Sequence, residues 1–139
     1  MDYKNHTGIY GLLLSNQKDK LLLIRKARGP YIGLYDLPGG TPEFEENLEQ
    51  TLKREILEET GLNLITSSQL ITLLTVFKKE NINYRHLGVI YTITAQGNLK
   101  IDADGEDSNG CLWLDIDKIT AINCSPFVIS LKQQGFLDN

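Results

Sequence analysis

Short apolar runs separated by polar turns open the chain, and a helical spacing of apolar positions follows near residue 47. TGIYGLLL (7–14) and KLLLIRK (20–26) flank the polar turn SNQKD and predict two strands. ARGPYIGLYDLPGG (27–40) is rich in proline and glycine and predicts a loop. NLEQTLKREILEET (47–60) is the clearest helix. QLITLLTVFKK (69–79) and YRHLGVIYTITA (84–95) are rich in β-branched and aromatic residues and predict strands, and GCLWLDI (110–116) predicts another. SPFVISLKQQG (125–135) predicts a closing helix with Ser125 as cap and Pro126 at its first position. Strands on both sides of a central helix, with a helix at the end, predict a mixed sheet between helices.

The central helix has marked ends. Asn47 and Gln50 fit a capping box. Gly61 supplies a left-handed residue, and Leu62 can fold back on Ile56 or Leu57 as in a Schellman motif. At about 100° per residue, with Leu48 at zero, Leu52 falls at roughly 40° and Ile56 at roughly 80°. Glu59 falls at roughly 20°, inside that apolar stripe, Glu55 at roughly −20° on its edge, and Glu58 at roughly −80°. Carboxylates oppose the partial negative charge of a helix C-terminus, and Glu55 repels Glu59 one turn on. Together these terms disfavour the arrangement by on the order of 1–2 kcal/mol. Arg54 neutralises one carboxylate and not three. A divalent cation resolves the conflict, and a hard ion such as Mg²⁺ is suited to carboxylates and a phosphate-bearing substrate. The preceding LPGG (37–40) lets the backbone approach a ligand, and a glycine carbonyl there adds a metal ligand.

Composition narrows the partners. The chain has 139 residues and a net charge of −4, which fits one domain and argues against broad attraction to nucleic acid or an anionic membrane. No signal-peptide pattern opens it and no apolar run reaches a membrane span, so a cytoplasmic location is expected. Cys111 and Cys124 lack metal-ligand or redox spacing and are expected as free thiols.

Gly40, Glu46, Arg54-Glu55-Ile56, Glu58-Glu59 and Gly61-Leu62 stand at the spacing of the Nudix box, and the chain resembles the MutT/Nudix hydrolases. LLLIRK, GLYDLPGG and the acidic loop before LWLDIDKI extend the resemblance over most of the chain. It implies an α/β fold, an α/β/α sandwich with a mixed β-sheet, as one domain over 1–139. It also implies hydrolysis of a nucleoside diphosphate linked to another group, with Mg²⁺ or Mn²⁺. Carried onto this chain, Glu55, Glu58 and Glu59 are metal ligands, and Gly40 adds its carbonyl. Arg54 pairs with Glu46 to brace the helix against the loop, and Gly61 ends the helix. Glu106 is the candidate for a further ligand or base outside the box, in competition with Asp102, Asp104 and Asp107. Family members differ over the general base, and Glu55, Glu58 and Glu106 all remain open. Glu45 and Tyr35 depart from the common glycine and tryptophan, which leaves the metal chemistry intact.

Arg25, Lys26 and Arg28 are candidates for substrate phosphates, Arg25 foremost. Tyr31, Tyr35 and Tyr84 are candidates for stacking on a base, against ordinary packing. Trp113 is expected in the core, and His6 and His86 at surface or strand positions. CSPFVISL resembles the end of MutT enzymes that cleanse oxidised guanine nucleotides, with Cys124 in place of a base-reading asparagine unless Asn123 substitutes. The favoured activity is therefore a (deoxy)nucleoside triphosphate pyrophosphohydrolase releasing a monophosphate and pyrophosphate. The alternatives are a non-catalytic nucleotide sensor and an RNA 5′-end pyrophosphohydrolase. The expected partner is a small nucleotide, with no membrane or nucleic-acid partner, in a monomer or homodimer.

Overall fold

The first strand shows how the layers arise. Ile9 points to one face of the sheet, and Tyr10 and Leu12 share a core cluster on the other. Both faces are apolar, so both must be covered. The computed structural model describes residues 3–100 and 108–138. Its elements run β1 (Tyr3–Leu12), β2 (Lys20–Lys26), β3 (Tyr35–Asp36), β4 (Gly39–Gly40), α1 (Leu48–Thr60), β5 (Asn63–Lys79), β6 (Ile82–Gln96), β7 (Ser108–Asp115) and α2 (Pro126–Gln133), with a 3₁₀ turn at Ile116–Lys118.

The strands form one sheet ordered β4-β1-β6-β5 and a second ordered β3-β2-β7. Parallel pairing of β1 with β6 beside antiparallel neighbours makes the first sheet mixed, as the sequence predicts. Leu13 and Leu22 join the sheets through a backbone hydrogen bond, and Leu14 bridges Leu21. One face packs Ile9, Leu22, Tyr91 and Ile93 against Leu52 and Ile56 of α1. The other packs Leu21, Leu23 and Ile90 against Phe127, Val128 and Leu131 of α2. Each fully buried leucine contributes about 1.5–3 kcal/mol relative to exposure. The result is an α/β fold of one domain, with helices on both faces.

Several boundaries differ from expectation, β1 among them, which runs Tyr3–Leu12 rather than 7–14. β5 starts at Asn63 rather than Gln69, because Leu64, Thr66 and Ser67 pair with the end of β6. Their polar, half-exposed pattern hides a strand whose order comes from its partner. Glu80 and Asn81 both take positive φ, 53° and 64°, and form a two-residue hairpin turn between Lys79 and Ile82. The glycine-rich stretch expected as loop holds β3 and β4, two-residue strands on β2 and β1. Among the described residues, no helix is long and apolar enough to cross a membrane.

Candidate functional site

Helix α1 carries its carboxylates where the wheel places them. Glu55 and Glu59 are buried, 5% and 1% exposed, beside Leu52 and Ile56, while Glu58 faces outward. Leu48 corrects the origin of the stripe: it is 38% exposed, and burial begins at Thr51. The 41–47 loop that leads into this first turn is itself mostly exposed. Both halves of the Asn47–Gln50 capping box form. The C-terminus is an αL cap and not the expected Schellman motif. Gly61 N–H reaches Leu57 O at 2.9 Å, but Leu62 N–H bonds to Thr60 Oγ1. No basic residue lies in the last turn; Lys100 supplies the missing cation from outside the helix, its Nζ donating to Glu58 O at 3.0 Å.

Arg54 organises the carboxylates. Its Nε and Nη2 donate to Glu46 Oε2 and Oε1 at 2.7 and 2.8 Å, a two-pronged pair that ties α1 to the preceding loop. Its Nη1 donates to Glu55 Oε1 at 2.6 Å and reaches Glu58 Oε2 at 3.4 Å. Hydrogen bonding to Arg54 holds the Glu46 carboxyl down at about 2. Glu59 Oε1 accepts from Gly39 N–H at 2.7 Å, which locks the helix to β4. A methyl group on Gly40 would lie 2.7 Å from Glu55 Cδ, so only glycine lets the backbone lie this close to that carboxylate. Gly40, Thr41, Glu43, Arg54, Glu55 and Lys26 line a hollow of about 250 Å³. Among the described residues, no three His, Cys, Asp or Glu side chains converge into a ready metal cage.

A second hollow, of about 380 Å³, adjoins the first and shares His6, Tyr10 and Lys26 with it. Buried His86 lies at its base, with Tyr10 Oη 2.8 Å from Nε2 and Tyr31 Oη 2.8 Å from Nδ1. Burial, with nearby His6 and Lys26, pushes the imidazole down to about 3, so it is neutral in ordinary buffers. Burial, with Asp36 nearby, raises both tyrosines. Asp36 is 1% exposed and lines the same hollow, and burial raises its carboxyl against a hydrogen bond from Ser125. Tyr31 and Tyr84 line the hollow, and Phe77 contacts both rings, stacked on Tyr84 at 12°. Gly8 and Gly88, register partners in β1 and β6, make the room: side chains there would overlap the Tyr10 and Phe127 rings.

The family model for the NUDIX domain matches residues 4–131. This chain belongs to the NUDIX family. It is 32% identical over 126 residues to the m7GpppN-mRNA hydrolase NUDT17 of Danio rerio, covering 80% of this chain and 42% of that protein. It is 32% identical over 112 residues to the oxidized purine nucleoside triphosphate hydrolase of Danio rerio, covering 78% of this chain and 66% of that protein. Another relative, the ADP-ribose pyrophosphatase of Methanocaldococcus jannaschii, is 49% identical over 47 residues, 33% of this chain and 28% of that protein. NUDT17 and the archaeal enzyme are thus each spanned over less than half their length. The fold matches the MutT NUDIX hydrolase from Burkholderia pseudomallei, with a TM-score of 0.76, 21% identity, and coverage of 94% of this chain and 98% of that one. It matches the NUDIX domain of Shewanella oneidensis NrtR, solved with ADP ribose, with the same TM-score, 22% identity, and coverage of 96% and 87%.

The NUDIX fold gathers some predicted residues and separates others. Gly40, Glu55 and Arg54 line one hollow, with Glu46 and Glu59 tied to that arrangement by hydrogen bonds. Lys26, Arg28, Tyr31 and Tyr84 line the other. Arg25 and Tyr35, chosen for substrate contact, line neither hollow: Arg25 is exposed at the edge of β2, and Tyr35 packs partly against the α2-side core. The ladder of β2 with β7 shifts register between Ile24 and Lys26, and of the two basic residues only Lys26 lines a hollow. Asn123 spends its side chain on Thr120 and Lys118 in its own turn, and Cys124 is buried in the core, so neither lines a hollow. Trp113 is half-buried against the α1-side core. Glu106, Asp102, Asp104 and Asp107 lie outside the described residues. His6 lies exposed in β1, whereas His86 lies in β6 but is buried, which corrects the surface half of its expectation. The glycine two residues beyond it, where a strand needs a packing side chain, was the available signal.

Proposed function

We propose that this chain is a metal-dependent pyrophosphohydrolase acting on a nucleoside diphosphate linked to a further group. Its substrate is a (deoxy)nucleoside triphosphate and its products are a nucleoside monophosphate and pyrophosphate. One observation carries the reading: a hollow walled by carboxylates opens beside an aromatic hollow, with Lys26 lining both. A nucleotide needs such a division, with its phosphates at the charged end and its base among the rings. The relative named as an oxidized purine nucleoside triphosphate hydrolase supports the same class.

The residues fit a hard divalent cation. Buried Glu55 and Glu59 lie one helical turn apart, Gly40 brings backbone beside Glu55, and the donors are all oxygen. Gly40, Glu55, Glu58 and Glu59 would hold Mg²⁺ or Mn²⁺. When bound, the ion acidifies a water and neutralises charge building on the phosphates. Arg54 fixes Glu55 in place, and Lys26 faces the phosphates at the junction. Either Glu55 or Glu58 takes the proton from the attacking water; Glu58 is the more exposed of the two.

A panel of nucleoside triphosphates, with Mg²⁺ or Mn²⁺, tests this by reading pyrophosphate against phosphate release. Pyrophosphate release from a triphosphate is the expected result. No turnover across the panel would leave a nucleotide sensor instead. A second reading, hydrolysis at an RNA 5′ end, draws on the relative named as an mRNA hydrolase and on Lys4, Lys26 and Arg28 in the second hollow. Capped and 5′-triphosphate RNA in the same panel decide between the two.

A further inference from the structure

β5 closes the order β4-β1-β6-β5. Among the described residues it pairs with β6 alone, and no further backbone–backbone hydrogen bond reaches it. An open strand edge is a template for another chain, and proteins guard such edges with short length, charge, proline or bulges. β5 is 17 residues long and holds neither charge nor proline before Lys78 and Lys79 at its end. Register shifts between Leu64 and Thr66 and between Gln69 and Ile71 disturb its first half. From Ile71 to Lys79 the ladder is regular, so this second half has no guard except its two terminal lysines.

The same half carries an apolar patch. Leu74 is the register partner of Leu87 in β6, and Val76 lies two residues on, on the same face. Leu87 stands two residues before Val89, which packs against the α1-side core. These three side chains lie beyond the cover of that core: Leu74 is 57% exposed, Val76 66% and Leu87 38%. Single exposed apolar residues are ordinary, but three adjoining ones beside an open strand edge mark an interaction surface.

We propose that this edge is a self-association surface, on which two copies of the chain pair β5 with β5 antiparallel about a two-fold axis near Leu74. Two four-stranded sheets then become one continuous sheet. The segment is complementary to itself: pairing about Leu74 sets Leu74 against the partner's Leu74, and Val76 against the partner's Thr72, on one face. The lysine ends of the two copies lie at opposite ends of the shared pair, whereas parallel pairing would bring like charges together. A second copy also covers both open edges at once, which a strand of another protein would not do. At the other side of the sheet β4 is only two residues long, too short to template a further copy, so the assembly closes at two.

Sedimentation equilibrium of the intact chain over a dilution series tests this. The contact is small against the roughly 1,600 Å² of a standard stable interface, so a dimer that dissociates in the micromolar range is expected. Leu74→Lys and Leu74→Glu each set like charges across the axis, and each should be monomeric where the wild type is dimeric. Mixed in equal amounts, the two variants should form a heterodimer, which unspecific adhesion of the apolar patch would not produce. Ile65→Lys, at an exposed apolar position in the disturbed half of the same strand, should leave the dimer intact. If a Leu74 variant fails to fold, Val76→Glu takes its place and should also be monomeric. Backbone amides from Ile71 to Phe77 should exchange more slowly as protein concentration rises, which contact through side chains alone would not cause. A wild type that stays monomeric at high micromolar concentration, a Leu74→Lys variant that dimerises normally, or a Lys and Glu mixture that stays monomeric overturns the proposal.

Discussion

The carboxylate hollow and the aromatic hollow meet at Lys26 and Tyr10, yet the chain builds them in opposite ways. In the first, the contacts that set the side chains are mostly local: Arg54 reaches Glu46 eight residues back, Glu55 beside it and Glu58 four ahead. In the second, His86 meets Tyr10 and Tyr31 across sequence separations of 76 and 55. One is written into a helix and its preceding loop. The other exists only once β1 lies parallel to β6. Local geometry tolerates strain nearby, whereas a site assembled from remote strands depends on the register that joins them. The metal chemistry should therefore be separable from stability, and the base pocket should not.

The largest expected effect breaks the first region alone. Glu59→Gln keeps an acceptor for Gly39 N–H but loses the charge, so turnover should fall by about 100-fold or more with the melting temperature nearly unchanged. Near-normal turnover would remove the metal reading. Gly88→Ala strikes the second region: the added methyl overlaps the Phe127 ring beside His86. Urea denaturation should show a loss of about 1–3 kcal/mol, together with weaker nucleotide binding. A stable variant with normal binding would show that the two regions do not differ as argued. Asn47→Ala removes the helix cap and should cost about 1 kcal/mol in the same measurement without altering nucleotide binding.

The smallest effect concerns pH. Glu46 titrates at about 2 in the folded chain against an ordinary 4.5, because Arg54 stabilises its charge. On acidification the unfolded chain takes up this proton first. The pair's contribution is complete above about 4.5 and fades as pH falls toward about 2. The pair is partly exposed, so the contribution is small. Melting curves across that window should flatten in Glu46→Gln relative to wild type, and parallel curves would show that the pair does not stabilise the folded chain.

The helix was legible because its information is local. Asn47, Gln50 and Gly61 mark its ends, and the wheel puts Glu55 and Glu59 on the buried side before any contact is known. The same reading failed at Leu48, since what covers a first turn is decided by residues outside the helix. It failed for Arg25 against Lys26 because neither residue type reveals which face of β2 borders a cavity. It expected His86 at a surface or strand position and did not foresee its burial, because what covers a strand residue is decided by the elements packed on it.

By itself, the order of residues determined two strands, a capped helix, and a run of acids and glycines with one defined spacing, since each rests on interactions spanning a few residues. Only the folded arrangement decided that Lys100 caps that helix from outside, that Asp36 and His86 share a hollow, and that this hollow opens onto the carboxylates. The reason is the parallel pairing of β1 with β6, which brings residues some eighty positions apart side by side. No periodicity in either strand encodes which partner it will meet.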